Sequence, residues 1–301
     1  MSNNGRIRSY LSGMVLAMAA LGAPRAQALE LVHSEKSLYR QVLIYEEGGL
    51  RYLCFTRGCA IGRQSVIDLT QPERLVFDYA HLMLGSLYAK PAPQSVLIIG
   101  LGGGSLPRAL ASLLPDTHID VVEIDPAVTR VARSYFNFKP GPGTSIVEED
   151  GRAYVKRALR AGKSYDLIML DAYDHEYIPE HLLTREFLQE VRSLLKPDGI
   201  VAANTFSSSR LYDSESVTYR AVFGDFYNLK MANRIIVASN GPLPSAAVLQ
   251  KNSSAFTQAF ARLGFDAEEV RQHFSLQPDW NVAARVLTDQ YSPANLLNSK
   301  R

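Results

Sequence analysis

SVLIIGLGGGSLPRAL, residues 95–110, joins an apolar run to a glycine-rich turn and then to a stretch typical of a helix. A buried strand, a tight turn and a helix in this order are typical of parallel α/β folds that bind nucleotides. The turn carries Gly100, Gly102, Gly103 and Gly104, and glycine lets the backbone turn sharply and approach a ligand closely. We therefore expect a ligand-binding turn here, with a packing turn that binds nothing as the alternative.

Four further apolar runs follow, at residues 119–125, 145–150, 165–171 and 199–206, and the stretches between them are long enough for helices. Buried strands that alternate with helices predict an α/β fold with a doubly wound, mostly parallel sheet. The carboxyl ends of such strands lie along one edge of the sheet, where ligands bind.

The region before the glycine-rich turn has a different pattern. Residues 29–70 contain short alternating apolar runs interrupted by glycines, which predict a small antiparallel sheet. Residues 72–89, PERLVFDYAHLMLGSLYA, predict one helix. The predicted organisation is an N-terminal β domain over residues 29–72 and a larger α/β domain over residues 73–301.

Acidic residues follow the predicted strands. Glu123 comes about twenty residues after the glycine-rich turn, where a carboxylate is suited to the hydroxyls of a ribose. Asp150, followed by Gly151, could accept the exocyclic amino group of adenine, and Asp171 and Asp174 follow the fourth run. Since no residue after the turn suits a pyrophosphate, we expect an adenosyl sulfonium compound rather than a dinucleotide. Each acid alone is more often a solvated loop carboxylate.

These residues together resemble the polyamine aminopropyltransferases, or spermidine synthases, which have the class I methyltransferase-like fold. The resemblance covers about residues 36–240 and rests on VLIIGLGGGSLPRAL, VVEID, EDG and LDAYD. It implies aminopropyl transfer from decarboxylated S-adenosylmethionine to a diamine, with release of methylthioadenosine. It also implies that Asp171 accepts the proton of the attacking amine and that Asp174 helps to hold the amine. The alternative for these two acids is capping of the next helix, near His181.

The chain departs from the family on the amine side. Gly103 stands where the family has an aspartate, Arg40 stands where it has a glutamine, and Phe77-Asp78-Tyr79 replaces the run that lines its amine pocket. The residues expected to contact the substrate are Arg40, Gln41, Gln64, Asp78, Tyr79 and Tyr173.

These departures keep two other functions open. One is methyl transfer from intact S-adenosylmethionine, whose carboxylate would be held by Arg40 or accommodated in open space at Gly103. The other is non-catalytic binding of a nucleoside or polyamine by an exported protein.

Composition and the N-terminal residues set further limits. The 301 residues include 32 Lys and Arg against 30 Asp and Glu, without a basic run, which argues against nucleic-acid binding. Residues 1–28 have the pattern of a secretory signal: Arg6 and Arg8, an uncharged stretch from Tyr10 to Pro24, and a small-residue cleavage site ending at Ala28. We expect cleavage after Ala28 and a periplasmic protein without stable membrane insertion. A retained anchor is the alternative.

The remaining predictions concern cysteines, metals and assembly. Cys54 and Cys59, the two cysteines of the chain, either form a disulfide in an oxidising compartment or stay buried thiols. The six histidines show no metal-ligand spacing, so we expect no metal. The acceptor is expected to be a small amine, and a homodimer or a homotetramer is an open expectation.

Overall fold

The chain forms two sheets, seen in a computed structural model that describes residues 28–172 and 179–292. The first sheet contains four antiparallel strands in the order β1-β2-β3-β4. They are β1 (Glu30–Lys36), β2 (Gln41–Glu47), β3 (Leu50–Cys54) and β4 (Ser65–Asp68). The turn between β2 and β3 needs its glycines, because Gly48 and Gly49 have φ angles of 60° and 81°.

The second sheet contains seven strands in the order β10-β11-β9-β8-β5-β6-β7. They are β5 (Ser95–Ile99), β6 (His118–Glu123), β7 (Thr144–Glu148), β8 (Tyr165–Leu170), β9 (Leu195–Phe206), β10 (Tyr227–Lys230) and β11 (Asn233–Ser239). The strands from β9 to β7 are parallel, and β11 and β10 extend the sheet antiparallel. The chain order reverses between β5 and β8, which is where α/β sheets of this kind open a crevice.

Eight α-helices accompany these sheets in the part of the chain that the structure describes. They are α1 (Asp78–Leu84), α2 (Ser105–Leu113), α3 (Pro126–Tyr135), α4 (Gly151–Arg160), α5 (Arg185–Leu194), α6 (Tyr212–Phe223), α7 (Ala246–Arg262) and α8 (Ala267–Gln272).

The helices cover both faces of the large sheet, because its strands alternate apolar side chains to the two sides. Leu82 of α1, Leu106 of α2 and Phe260 of α7 belong to the apolar cluster on one face. Tyr154 of α4 and Val191 of α5 belong to the cluster on the other face. The result is a three-layer α/β structure.

The small sheet packs on α3 at the edge of this structure. Val42 and Ile44 of β2 and Ile67 of β4 form one buried cluster with Val128 and Val131 of α3. In addition, the Ser37 hydroxyl in the turn after β1 donates a hydrogen bond to Asp125 Oδ2, over 2.6 Å. The small sheet therefore stands beside the carboxyl end of β6.

The predicted α/β fold with a small antiparallel sheet is confirmed, and all five predicted parallel strands are present. The single helix predicted over residues 72–89 is wrong in its first third. Helix α1 begins at Asp78, and a 3₁₀ turn at Gly85–Tyr88 continues it. Leu75 N donates to Leu263 O, just after α7, instead of to a carbonyl of its own segment. Residues 72–77 therefore pack against the end of α7 and are not helical. The domain boundaries stay predictions.

Two observations concern the N-terminal predictions. Cys54 and Cys59 form a disulfide, with 5.2 Å between their Cα atoms, rather than two buried thiols. Among residues 28–172 and 179–292, no helix is both long and apolar enough to cross a bilayer. Residues 1–27 of the predicted signal lie outside the described residues.

Candidate active site

A cavity of about 950 Å³ opens at the carboxyl ends of β5, β6, β8 and β9. The small sheet and the turn after β1 form its opposite wall. Most of the residues predicted for the site line it, and they come from segments far apart in the chain: Arg40, Gln41, Gln64, Asp78, Tyr79, Gly100, Gly102, Glu123, Asp150, Gly151 and Asp171.

The glycine-rich turn lies at the floor of this cavity. Gly100 has a φ of 103°, and a Cβ there would stand 2.2 Å from the backbone oxygen of Asp171. Only glycine therefore allows the turn after β5 to pass so close to the end of β8. Gly102 also faces the cavity.

Gly103 and Gly104 do not line the cavity. Gly103 N donates to Ser65 Oγ over 2.8 Å, and a Cβ on Gly103 would meet Phe136 at 2.8 Å. A Cβ on Gly104 would stand 2.5 Å from Phe138. These two glycines pack the turn against neighbouring side chains. The open space expected at Gly103 for a methionine carboxylate is absent, so that expectation is wrong.

Glu123 ends β6 and is buried beside this turn. Its two carboxylate oxygens accept hydrogen bonds from Leu101 N and from Asp125 N, each over 3.0 Å. Burial raises the pKa of Glu123, although both backbone donors oppose the rise. These contacts fix the carboxylate at the cavity wall, and the remaining lone pairs can accept the hydroxyls of a ribose.

Asp150 is the N-cap of α4, and its Oδ1 accepts a hydrogen bond from Ala153 N over 2.9 Å. Its Oδ2 lies 2.8 Å from His181 Nε2, and this contact holds the pKa of Asp150 below its usual value. Gly151 allows close packing, since a Cβ there would stand 2.6 Å from Ile99. Asp150 is therefore fixed at the end of the cavity where the sequence predicts adenine.

Asp171 follows β8 directly and is held from two sides. Its Oδ1 accepts a hydrogen bond from Asn204 Nδ2 over 2.8 Å, and its Oδ2 accepts one from the Tyr79 hydroxyl over 3.3 Å. Burial raises the pKa of Asp171 to about 7, against these two hydrogen bonds and with a further contribution from the negative charge of Glu123.

The geometry at Asp171 decides against helix capping. Helix α5 is capped by Thr184, and His181 pairs with Asp150. Burial, followed by the charge of Asp171, raises the pKa of Tyr79 well above its usual value, so the Tyr79 hydroxyl stays a neutral donor. Asp171 is thus a carboxylate that titrates near neutral pH inside a cavity, which suits a proton acceptor.

The other predicted substrate residues that the structure describes also line the cavity. Arg40 places its guanidinium 4.2 Å from the centre of the Phe55 ring, and Gln41 Nε2 donates to Ser34 Oγ over 3.1 Å. Asp78 begins α1 with more than half of its side chain exposed. Tyr173 and Asp174 lie outside the described residues.

Three contributors were not predicted from the sequence: Asn204, Asn233 and His181. Asn204 lies near the end of β9, and Asn233 begins β11 and donates from Nδ2 to Asn204 Oδ1 over 2.9 Å. A polar amide within the apolar run GIVAANTF was the available signal for Asn204. Asn233 reaches Asn204 because β11 pairs with β9, and the sequence of neither strand alone predicts that pairing.

Comparison with known proteins identifies the family. The model of the spermine/spermidine synthase domain matches residues 78–233, which is more than half of the chain. The chain belongs to the spermine/spermidine synthase family. This confirms both the family and the transferase class predicted from the sequence.

Individual relatives agree with this assignment. A polyamine aminopropyltransferase of Vibrio vulnificus is 45% identical over 273 residues, which are 89% of this chain and 91% of the relative. One from Chromobacterium violaceum is 32% identical over 258 residues, covering 85% and 94% of the two chains. The crystal structure of a probable spermidine synthase from Corynebacterium glutamicum superposes on this chain with a TM-score of 0.62. The match covers 84% of this chain and 97% of that one at 20% sequence identity, and it shows the shared fold.

Proposed function

We propose that the protein transfers the aminopropyl group of decarboxylated S-adenosylmethionine to a diamine and releases methylthioadenosine. Family membership supports the reaction type, and the observation that carries the proposal is Asp171. Its carboxylate has a pKa of about 7 and stands at the carboxyl end of β8, beside the glycine-rich turn.

The donor would bind along the strand ends. Glu123 accepts the ribose hydroxyls, Asp150 accepts the amino group of adenine, and the backbone at Gly100 and Gly102 lies against the sulfonium part. Because the sulfonium is an activated leaving group, the protein contributes mainly by positioning the two substrates.

The acceptor must lose a proton, because the lone pair of an alkylammonium ion is occupied by that proton. Asp171 takes the proton as the nitrogen forms its new bond to the propyl carbon, and the carbon–sulfur bond breaks to leave the neutral thioether. The positive charge of the sulfonium is thereby discharged. Asp174 is proposed to hold the ammonium group, a role that rests on the family pattern alone.

We further propose that the mature protein is exported to the periplasm. The residue pattern of the first 28 positions supports export, and so does the Cys54–Cys59 disulfide, since disulfides persist in oxidising compartments. Assembly as a homodimer or homotetramer stays a prediction.

An assay of methylthioadenosine release tests the proposed function. Decarboxylated S-adenosylmethionine is supplied with putrescine, cadaverine or spermidine, and wild type is compared with Asp171→Asn. We expect turnover to fall by about 10² to 10⁴ in the variant, because the base is removed while the shape is kept. The matched control is Asp198→Asn, which should keep wild-type turnover. Asp198 is an exposed aspartate near the start of β9 and away from the cavity.

Two results would contradict the proposal. If wild type releases no methylthioadenosine but transfers methyl groups from intact S-adenosylmethionine, the methyltransferase alternative replaces it. If wild type binds methylthioadenosine and uses neither donor, the protein is a binding protein.

A further inference from the structure

Two asparagines form a short chain of hydrogen bonds that ends on Asp171. Asn233 Nδ2 donates to Asn204 Oδ1 over 2.9 Å, and Asn204 Nδ2 donates to Asp171 Oδ1 over 2.8 Å. Asn204 is 7% exposed, so its amide is shielded from water and depends on these protein partners. These hydrogen bonds link three adjacent strands, from β11 through β9 to the end of β8.

The direction of these bonds is set by the Asp171 carboxylate, which can only accept hydrogen bonds when it is ionised. An amide has a donating and an accepting end, and if the Asn204 amide turned over, it would present its oxygen to the Asp171 carboxylate. The bond from Asn233 occupies the accepting end of Asn204 and so leaves only its donating end for Asp171. The bond from Asn233 therefore stabilises the orientation in which Asn204 favours an ionised carboxylate.

We propose that Asn204, oriented by Asn233, is a positioning residue that keeps Asp171 ionised and its Oδ1 occupied, so that Oδ2 is the oxygen that accepts the substrate proton. The inference rests on the proposed function for the identity of that proton. Tyr79, the second partner of Asp171, donates to Oδ2 over a longer distance of 3.3 Å, which leaves room for a competing amine donor.

The ionisable groups of the described residues that act on Asp171 are Tyr79 of α1 and Glu123 of β6. Neither supplies a positive charge. Among the described residues, the ionised form of Asp171 is therefore favoured by its two hydrogen bonds, of which that from Asn204 is the shorter. Removing this bond should shift the titration of Asp171 upwards.

Asn204→Leu is the first test, because leucine nearly matches the shape of asparagine and donates nothing. We expect the acidic limb of the kcat/KM profile to move up by about one pH unit. Activity should fall about fivefold at pH 7 and recover towards pH 9. A merely structural defect would lower activity equally at every pH. Asn233→Leu should give the same pattern to a smaller extent, with kcat affected more than KM.

Asn204→Asp and Asn228→Leu complete the set. The aspartate variant places two carboxylates side by side, which must share a proton, so its apparent pKa should rise further than in Asn204→Leu. Asn228 is a buried amide of β10 that contacts Tyr212 and Asp279 and does not line the cavity. Its replacement controls for the loss of a buried amide and should leave the pH profile unchanged.

A measurement without turnover separates this inference from the proposed function. Nuclear magnetic resonance of the whole protein, with carboxyl-labelled aspartate and bound methylthioadenosine, follows the titration of Asp171 directly, and Asp171→Asn assigns its signal. A titration in Asn204→Leu that matches wild type overturns the inference, whether or not any amine is a substrate. An upward shift in a protein that uses no amine supports the positioning role and overturns the proposed reaction alone.

Discussion

Glu123 illustrates how one side chain can serve the protein and a ligand together. Its carboxylate accepts the backbone N–H of Leu101, which belongs to the glycine-rich turn, and that of Asp125. The same carboxylate faces the cavity. Its loss should therefore remove the proposed partner of the ribose and loosen the glycine-rich turn.

Glu123→Ala should weaken the binding of methylthioadenosine by about 10- to 150-fold, the range expected for a hydrogen bond to a charged group. Titration calorimetry measures the affinity. The matched control is Glu148→Ala. Glu148 of β7 is the backbone pairing partner of Glu123 in the sheet, but it is exposed and does not line the cavity. Equal affinity in wild type and Glu123→Ala would refute the assignment of the nucleoside site.

At the scale of elements, α6 and β11 meet at a buried pair of charges. Glu215 of α6 and Arg234 of β11 are 2% and 0% exposed, and their nearest charged atoms lie 4.0 Å apart. Burial raises the pKa of Glu215 to about 7, more than the positive charge of Arg234 can offset. The carboxyl group therefore binds a proton more readily in the folded chain than in the unfolded chain.

This pair predicts a pH dependence of stability. Because the folded pKa of about 7 exceeds the usual value of 4.5, the contribution of Glu215 to the free energy of unfolding is fully present below pH 4.5 and is lost as pH rises through 7. The expected loss is about 2.5 kcal/mol between pH 5 and pH 8. Urea unfolding of wild type and Glu215→Gln at both pH values measures it.

The glutamine variant cannot titrate, so much of the slope should disappear even if the variant is less stable overall. Asp171 also has a raised pKa and adds to the slope, so Asp171→Asn serves as the comparison. An unchanged slope in Glu215→Gln would show that Glu215 does not titrate as inferred.

The sequence predicted elements better than contacts, for physical reasons. Strands β5 to β9 are apolar runs bounded by turns, so their periodicity alone identifies them, and an acid after a strand must lie at the sheet edge. The unwound segment before Asp78 could not be predicted, because Leu75 is bonded to Leu263, far along the chain. For the same reason Asn233 was missed: its role depends on the register between β9 and β11.

At the scale of the whole molecule, the small sheet closes one side of the cavity, and the disulfide joins the end of β3 to the loop that follows it. Cys54 ends β3, and Phe55 and Thr56, directly after it, line the cavity. The disulfide closes the loop that holds these two residues. In the oxidised protein this disulfide therefore constrains part of the cavity wall covalently, in keeping with the proposed export to an oxidising compartment.

Intact-mass analysis of protein recovered from the periplasm tests export and oxidation together. We expect a mass that begins at Leu29 and no alkylation of the native protein, because both cysteines are bonded. The same sample, reduced before alkylation, is the control and should take up two labels. A mass that retains the first 28 residues would contradict cleavage, and two labels without reduction would contradict the disulfide.

The cavity also has a consequence for how such a protein changes over evolutionary time. The residues proposed for the donor lie within one continuous stretch, from Gly100 to Gly151, whereas the opposite wall comes from the turn after β1 and from the small sheet. Mutations in the second set leave in place the backbone hydrogen bonds from Leu101 to Glu123 and from Ala153 to Asp150, because neither bond involves a residue of that set. After gene duplication, one copy can therefore acquire a new acceptor by drift in the outer segments while it inherits the same donor.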